Sequence, residues 1–190
     1  MIEIIDYNMD YKRIWQVIKE VGQQGELTDI LEIGCGGGRF EKFLRQHGFN
    51  AFGLDFNSDL DKEGIEEGYL FRLNAHYIGK HFGDRLFDVI FTNGVMNEGA
   101  TIKIIMDQPG GILLGFQNLV EFNRECTLTN IEKILKSGFD QLKPGGFFLA
   151  HEHMNNPDDI LCFDEILANQ LGYSVVRYTP KEAVLKKPLN

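Results

Sequence analysis

Glu32, Gly34, Gly36 and Gly38 stand at every second position of the stretch ILEIGCGGGRF, Ile30 to Phe40. Apolar strand residues flank an acid, then come glycines, then a helical pattern. Glycines between a strand and a helix let the backbone approach a bound group closely, so the stretch reads as a turn that holds a nucleotide-like ligand. Asp55 follows seventeen residues beyond Gly38. A second chemical group is His151-Glu152-His153, in which the two histidines share one side of an extended strand. Two imidazoles and a carboxylate offer general bases, or the donor set of a zinc or iron site. We read it without a metal, either as one packed and one pocket-rim histidine or as a polar pair facing a substrate. Glu98 is a further candidate base.

The spacing decides between ligand classes. A dinucleotide fingerprint needs G-x-G-x-x-G, and counting from Gly34 and Gly36 the third position is Arg39. No G-x-x-x-x-G-K-[ST] occurs, which excludes a P-loop. Cys35 within the turn reads as a small packing residue, since nothing beside it in sequence would lower its pKa.

The elements that must position these residues alternate. Residues 10–21 place Ile14, Trp15, Val17, Ile18 and Val21 on one helical face, closed by Gly22. DILEIG is a buried strand, and Gly37–His47 a helix burying Phe40, Phe43 and Leu44. Strands follow at 50–55, 69–74 and 86–93, with a helix capped by Asn57 or Ser58 running to Glu67. A helix over 130–142 stops before KPGG, and 147–152 is the fifth strand. A helix from Pro157 to Leu171 precedes strands at 173–179 and 183–188. The last two are too close in sequence to be parallel neighbours. The pattern predicts an α/β three-layer sandwich around a seven-stranded, mostly parallel sheet with an antiparallel C-terminal hairpin.

The motif Glu32-x-Gly34-x-Gly36-x-Gly38 resembles the first motif of the class I S-adenosylmethionine (SAM)-dependent methyltransferases, [DE]-x-G-x-G-x-G. The acid closing the second strand, FDVIFTNG at the fourth, LKPGGFFLA leading into the fifth and the terminal hairpin extend the resemblance over essentially the whole chain. It implies SAM as cofactor, held by Glu32, Gly34, Cys35, Gly36 and Gly38 at the turn, and by Asp55, Phe56, Asn74, Ala75, Asn93 and Gly94 at later strand ends. Glu32 would offer negative charge near the cationic methionine end. Asp55 would accept from the ribose hydroxyls, the role of an acid at this position in other nucleotide folds. Phe56 either packs on the adenine or belongs to the core. Asn74 replaces the acid the family often places near the adenine amino group, and its amide oxygen can still accept.

Methyl transfer needs alignment above all, and a base only where the acceptor loses a proton, for which Glu98, His151 and His153 are the candidates. After strand four the chain reads Asn93-Gly94-Val95-Met96, without the prolines and aromatic of the [DN]-P-P-[YFW] motif. With a net charge of −9 this argues against a nucleobase acceptor and a nucleic-acid partner. The expected acceptor is a small molecule methylated at O or N. The competing reading is a non-catalytic SAM-fold protein, a partner subunit or SAM-binding regulator. Aminopropyl transfer would want an acidic pocket, and Glu98 stands alone there.

The chain reads as one domain over 1–190, with an N-terminal helical segment at 1–28. Residues 100–129 form an insertion whose Asp107-Gln108-Pro109-Gly110-Gly111 resembles a hairpin turn. It is either a lid over the acceptor pocket or an extra structural or dimer-contact piece. Three scattered cysteines, Cys35, Cys126 and Cys162, fit a reducing cytoplasm. The acidic N-terminus lacks the apolar run of a signal peptide, and no segment reaches membrane-span length.

Overall fold

The computed structural model describes residues 9–22, 28–55, 60–95, 116–152, 161 and 163–189, with side chains from 11 and from 129 onward in the helices that begin at 9 and 116. Its elements are α1 (Met9–Gly22), β1 (Asp29–Ile33), α2 (Arg39–Gln46), β2 (Asn50–Asp55), α3 (Lys62–Glu66), β3 (Leu70–Arg72), α4 (Ile78–Phe82), β4 (Phe87–Asn93), α5 (Phe116–Gln141), β5 (Leu142–His151), α6 (Glu165–Gln170), β6 (Ser174–Thr179) and β7 (Glu182–Lys186). The seven strands form one sheet in the order β3-β2-β1-β4-β5-β7-β6. The pairs through β5 are parallel, and β7 is antiparallel to both β5 and β6. The strand order reverses between β1 and β4, which in an open α/β sheet is where a ligand binds.

The central strands are near-continuous apolar runs because both sheet faces are covered. On one face α1 and α2 bury Ile14, Val17, Ile18, Phe40, Phe43 and Leu44 against Ile30, Val89, Phe91 and Leu149. On the other, Ile131, Ile134 and Leu135 of α5 and Ile78 of α4 pack against Leu31, Ile33, Ile90 and Phe148. The α/β sandwich, the sheet and its antiparallel end are as the sequence pattern requires. Among the described residues no helix is long and apolar enough to cross a membrane.

The boundaries differ from expectation at several places. α3 is capped by Asp61, whose side chain accepts from the Gly64 N–H; Asn57 and Ser58 lie outside the described residues. α6 starts only at Glu165, where Asp164 accepts from the Leu167 N–H at 2.9 Å; Pro157 lies outside the described residues. α5 begins at Phe116, so the latter part of the expected insertion is the start of the helix predicted from 130; the hairpin-like turn at 107–111 lies outside the described residues. Asn74 caps a short 3₁₀ turn at Ala75–Tyr77 that leads into α4, a helix too short for its period to show in sequence.

The start of β5 differs for a structural reason. Phe87 pairs with Leu142 and Val89 with Phe147, so Lys143–Gly146 bulge out opposite the single residue Asp88. A Cβ on Gly146 would lie 2.9 Å from the Lys143 carbonyl oxygen and 3.0 Å from that of Asp88, which excludes a side chain. The bulge carries the Lys143 ammonium to Asp29 (3.0 Å) and Asp88 (2.9 Å) at the amino ends of the strands. Asp88 also accepts from the backbone N–H groups of Thr28 and Asp29, fixing where β1 begins. Burial alone would raise both carboxyls. Lys143, Asn50 and Arg85 at Asp29, and two backbone N–H groups with Lys143 at Asp88, hold them below the usual range instead.

Because both folded-state values are depressed, this stabilisation is complete above the ordinary Asp value of about 3.9 and fades as the pH falls through the lowered ones. Lys143→Met is expected to cost about 1 kcal/mol at neutral pH, as the ammonium is partly solvated. Urea unfolding at about pH 7 and about pH 3 checks this, the variant and the parent converging at the lower value.

Candidate functional site

The turn after β1 is built by backbone hydrogen bonds to the end of β2. The N–H groups of Gly34 and Cys35 both donate to the Leu54 carbonyl, at 2.8 and 3.1 Å, and the Gly36 N–H donates to Asp55 Oδ2 at 2.9 Å. Gly38 N–H closes back on the Cys35 carbonyl at 3.0 Å. This path needs left-handed backbone at Gly34, Gly36 and Gly38, where φ is +82°, +53° and +81°. The glycines differ in what surrounds them. A Cβ at Gly38 would land on Leu70, and one at Gly34 on Val95, whereas one at Gly36 would meet no atom of the described residues within 4 Å. Gly38 is therefore needed for packing, and Gly36 leaves an open approach to the backbone.

Register brings the other expected residues level with this turn. Ile33 pairs with Leu54 and with Thr92, so Gly34, Asp55 and Asn93 occupy the next level of the sheet. Asn93 pairs with His151, and His151 with Glu182. The Gly94 N–H donates to the His151 carbonyl at 2.9 Å. Asp55, Gly34, Asn93, Gly94 and His151 thus form one rim at the carboxyl ends of the strands, across the point where the strand order reverses. By strand alternation Glu32, Asn93, His151 and Glu182 share the face that α1 covers. His151 is buried there, 2% exposed. Arg13 of α1 holds Glu182 with two hydrogen bonds, at 2.8 and 3.0 Å.

Beneath the turn lies a group of acids. Glu32 and Glu41 are both fully buried, at 0% exposure. Tyr11 of α1 donates to Glu32 Oε1 at 3.1 Å and receives a hydrogen bond from the Asn93 side chain. Glu32 Oε2 and both Glu41 oxygens make no close hydrogen bond among the described residues, the Glu41 backbone N–H being the donor that assists Glu41. Burial, and for Glu32 the neighbouring Glu41 and Asp55, raises both carboxyls above the ordinary glutamate value. Burial and the same carboxylates push the Cys35 thiol up as well, so Cys35 stays a thiol rather than a nucleophile. Asn93 Oδ1 is a further buried acceptor without a donor among the described residues.

The remaining expected residues are placed differently. Asn74 Oδ1 accepts from the His76 N–H at 2.9 Å, so the amide oxygen is engaged in capping the turn after β3. Ala75 belongs to the core cluster on the far face of the sheet. Phe56, Glu98 and His153 lie outside the described residues. Among the described residues no three His, Cys, Asp or Glu side chains gather to hold a metal.

Sequence reasoning missed Tyr11 and Glu41. Glu41 stands beside Phe40 and three residues before Leu44, on the flank of the apolar stripe of α2, where a charged residue is no anomaly in sequence. For Tyr11, on the covered face of α1, no anomaly existed either.

The contrast between the glycines is testable. Gly36→Ala places a side chain at left-handed φ, costing about 1–2 kcal/mol, without meeting protein atoms. It is expected to fold and to lose affinity for SAM, the cofactor the sequence implies. Gly38→Ala must also displace Leu70 and is expected to be the less stable protein. Thermal unfolding and calorimetric titration of the two variants separate the effects.

A family model described as a methyltransferase domain matches residues 7–179. No curated protein matches the chain significantly. Among solved structures, the N-methyltransferase NodS from Bradyrhizobium japonicum WM9, in complex with S-adenosyl-L-homocysteine, superposes with a TM-score of 0.59 at 13% identity, over 98% of this chain and 91% of its own. A SAM-dependent methyltransferase from Methanosarcina mazei gives 0.56 at 16% identity, over 90% and 98%. Magnesium protoporphyrin IX methyltransferase (ChlM) from Synechocystis PCC 6803, with bound SAM, gives 0.53 at 12% identity, over 92% and 77%. At these identities the likeness is one of fold.

Proposed function

Because this chain belongs to the methyltransferase domain family, whose model spans residues 7–179 of it, we propose that it transfers the methyl group of SAM to an oxygen or nitrogen of a small-molecule acceptor. The observation that carries the reading is the glycine turn, tied to Asp55 and open at Gly36, at the sheet's reversal point. Two of the fold neighbours contain SAM or its demethylated product. One is named for a small-molecule substrate, magnesium protoporphyrin IX.

The residues present fit this cofactor. Its methionine end carries an ammonium, and Glu32 Oε2 and Asn93 Oδ1 are buried acceptors without a donor among the described residues. Gly34, Cys35, Gly36 and Gly38 provide a backbone surface, and Asp55 is the acid beside it that would accept from ribose hydroxyls. Phe56, Asn74, Ala75 and Gly94 are the further proposed contacts. When bound, SAM supplies a methyl carbon already activated by its sulfonium. What the chain contributes is alignment and exclusion of water, worth up to about 7–11 kcal/mol for ideally oriented reactants. Where the acceptor must lose a proton, Glu98, His151 and His153 are the proposed bases, such a group typically adding about 10²–10⁴-fold. His151 is the one whose place is described, on the same rim as Asn93 and Gly94. The scattered cysteines support a cytoplasmic location.

Calorimetric titration with SAM and S-adenosylhomocysteine is the first test. Micromolar binding is expected, with Asp55→Ala weakening it by about 10- to 100-fold through loss of hydrogen bonds to a carboxylate. Failure of folded protein to bind either ligand would overturn the cofactor reading. Binding with no turnover across an acceptor panel would favour the non-catalytic reading instead.

A further inference from the structure

Two carboxyl side chains in contact, both removed from water and without a cation to pair with, cannot both remain ionised at modest cost. Among the described residues Glu32 on β1 and Glu41 on α2 meet that description: three of their four oxygens make no close hydrogen bond, and Glu41 is assisted by its own backbone N–H. The fourth, Glu32 Oε1, accepts from Tyr11. One proton resolves the conflict: placed on Glu32 Oε2, it donates to Glu41 and turns the contact into a hydrogen bond. Further charged or titratable groups face the pair from other elements. Tyr11 stands on α1, Cys35 in the turn and Asp55 at the end of β2. Tyr11 and Cys35 stay neutral, burial being the largest cause in each, and Asp55 adds negative charge. Gly53 of β2 leaves the room that Glu41 occupies, since a Cβ there would lie 2.9 Å from the Glu41 carboxyl carbon. The second acid is accommodated by the architecture of the turn.

Resting on the reading of this site as a SAM site, we propose that Glu32 and Glu41 share one proton in the empty protein and that binding of the cationic cofactor expels it to solvent. The bond broken is the carboxyl O–H, and the proton goes to bulk water or buffer. The pair then carries two negative charges opposite a ligand with net positive charge. S-adenosylhomocysteine, which lacks the sulfonium, expels less. Glu41 thereby becomes a specificity-determining residue: it keeps the empty site near neutrality and reserves its full negative charge for the methylated, charged form of the cofactor.

Proton linkage makes this measurable without turnover. Calorimetry of SAM binding in two buffers of different ionisation enthalpy gives the number of protons released. The expected value approaches one below the pair's titration, with affinity rising by up to about tenfold per pH unit in that range. The release is smaller for S-adenosylhomocysteine and diminished in Glu41→Gln, whose affinity depends less steeply on pH because burial alone still raises Glu32. SAM binding without proton release in the parent protein, or undiminished release in the variant, would overturn the proposal while leaving the cofactor reading intact. A cofactor-free measurement tests the shared proton by itself. A carboxyl raised in the folded state binds more protons there than in the unfolded chain. Stability therefore falls as pH rises from the ordinary glutamate value of about 4.3 through the raised one. That slope should be shallower in Glu41→Gln by urea unfolding, and equal slopes would rule out the shared proton. If the slopes differ but SAM does not bind folded protein, the cofactor reading fails and the expulsion with it, while the buried acid pair stands.

Discussion

The Leu54 carbonyl accepts from two successive backbone N–H groups, those of Gly34 and Cys35, and the site depends on this shared acceptor. It folds the chain leaving β1 sharply over the end of β2, which requires left-handed backbone at alternate residues. The result places the Gly36 N–H on Asp55 and aims α2 back down the sheet, with Phe40, Phe43 and Leu44 beneath α1. Glycine matters at these positions for separable reasons: Gly38 leaves space for Leu70, and at Gly36 no described atom comes within 4 Å of where a Cβ would stand.

The same turn makes α1 part of the site. Tyr11 packs against Phe40 at 4.5 Å between ring centroids and hydrogen-bonds Glu32, so the first helix reads the state of the acid in β1. Two residues on, Arg13 reaches across to Glu182 on β7, which Arg177 of β6 also approaches at 2.7 Å. The first turns of α1 thus touch the glycine-turn strand through Tyr11 and the antiparallel hairpin through Arg13. His151 and Asn93 lie in the row between them, His151 buried and Asn93 half-buried. Any base chemistry at His151 proceeds in that desolvated setting.

Much of this was legible because period and punctuation agreed. The strand NAFGLD begins and ends where the structure puts it, since Gly48 stops the helix before it and Asp55 closes it. β1 and β4 are apolar runs too short for helices, as strands covered on both faces must be. The glycine motif located the rim because spacing alone fixes which backbone atoms can reach β2. What was not legible depended on tertiary pairing. The Lys143–Gly146 bulge looks like a loop in sequence, and only pairing with β4 and β7 makes it part of a strand. Asn74 looked like a ligand acceptor, yet its oxygen is taken locally by the turn that follows, a competition common for Asn before a helical turn. Glu41 drew no reading at all, because its burial depends on the space that Gly53 leaves in the neighbouring strand.

The two ends of the sheet treat buried acids in opposite ways. At the amino ends, Asp29 and Asp88 stand close together, and a bulge in β5 delivers a permanent cation, Lys143, between them. Two backbone N–H groups complete the set, and both acids are held ionised. At the carboxyl ends, Glu32 and Glu41 have a phenol and each other, and their carboxyls are raised rather than lowered. Removing charge from water costs several kcal/mol unless it is paired, so a fold pairs such acids when their role is structural. The amino-end pair follows that rule and locks three strands in register. The carboxyl-end pair departs from it beside a turn open at Gly36 and a row of acceptors that want donors. An acid pair with no cation beside it among the described residues, at the sheet end where the strand order reverses, fits the proposed binding role better than a bracing one.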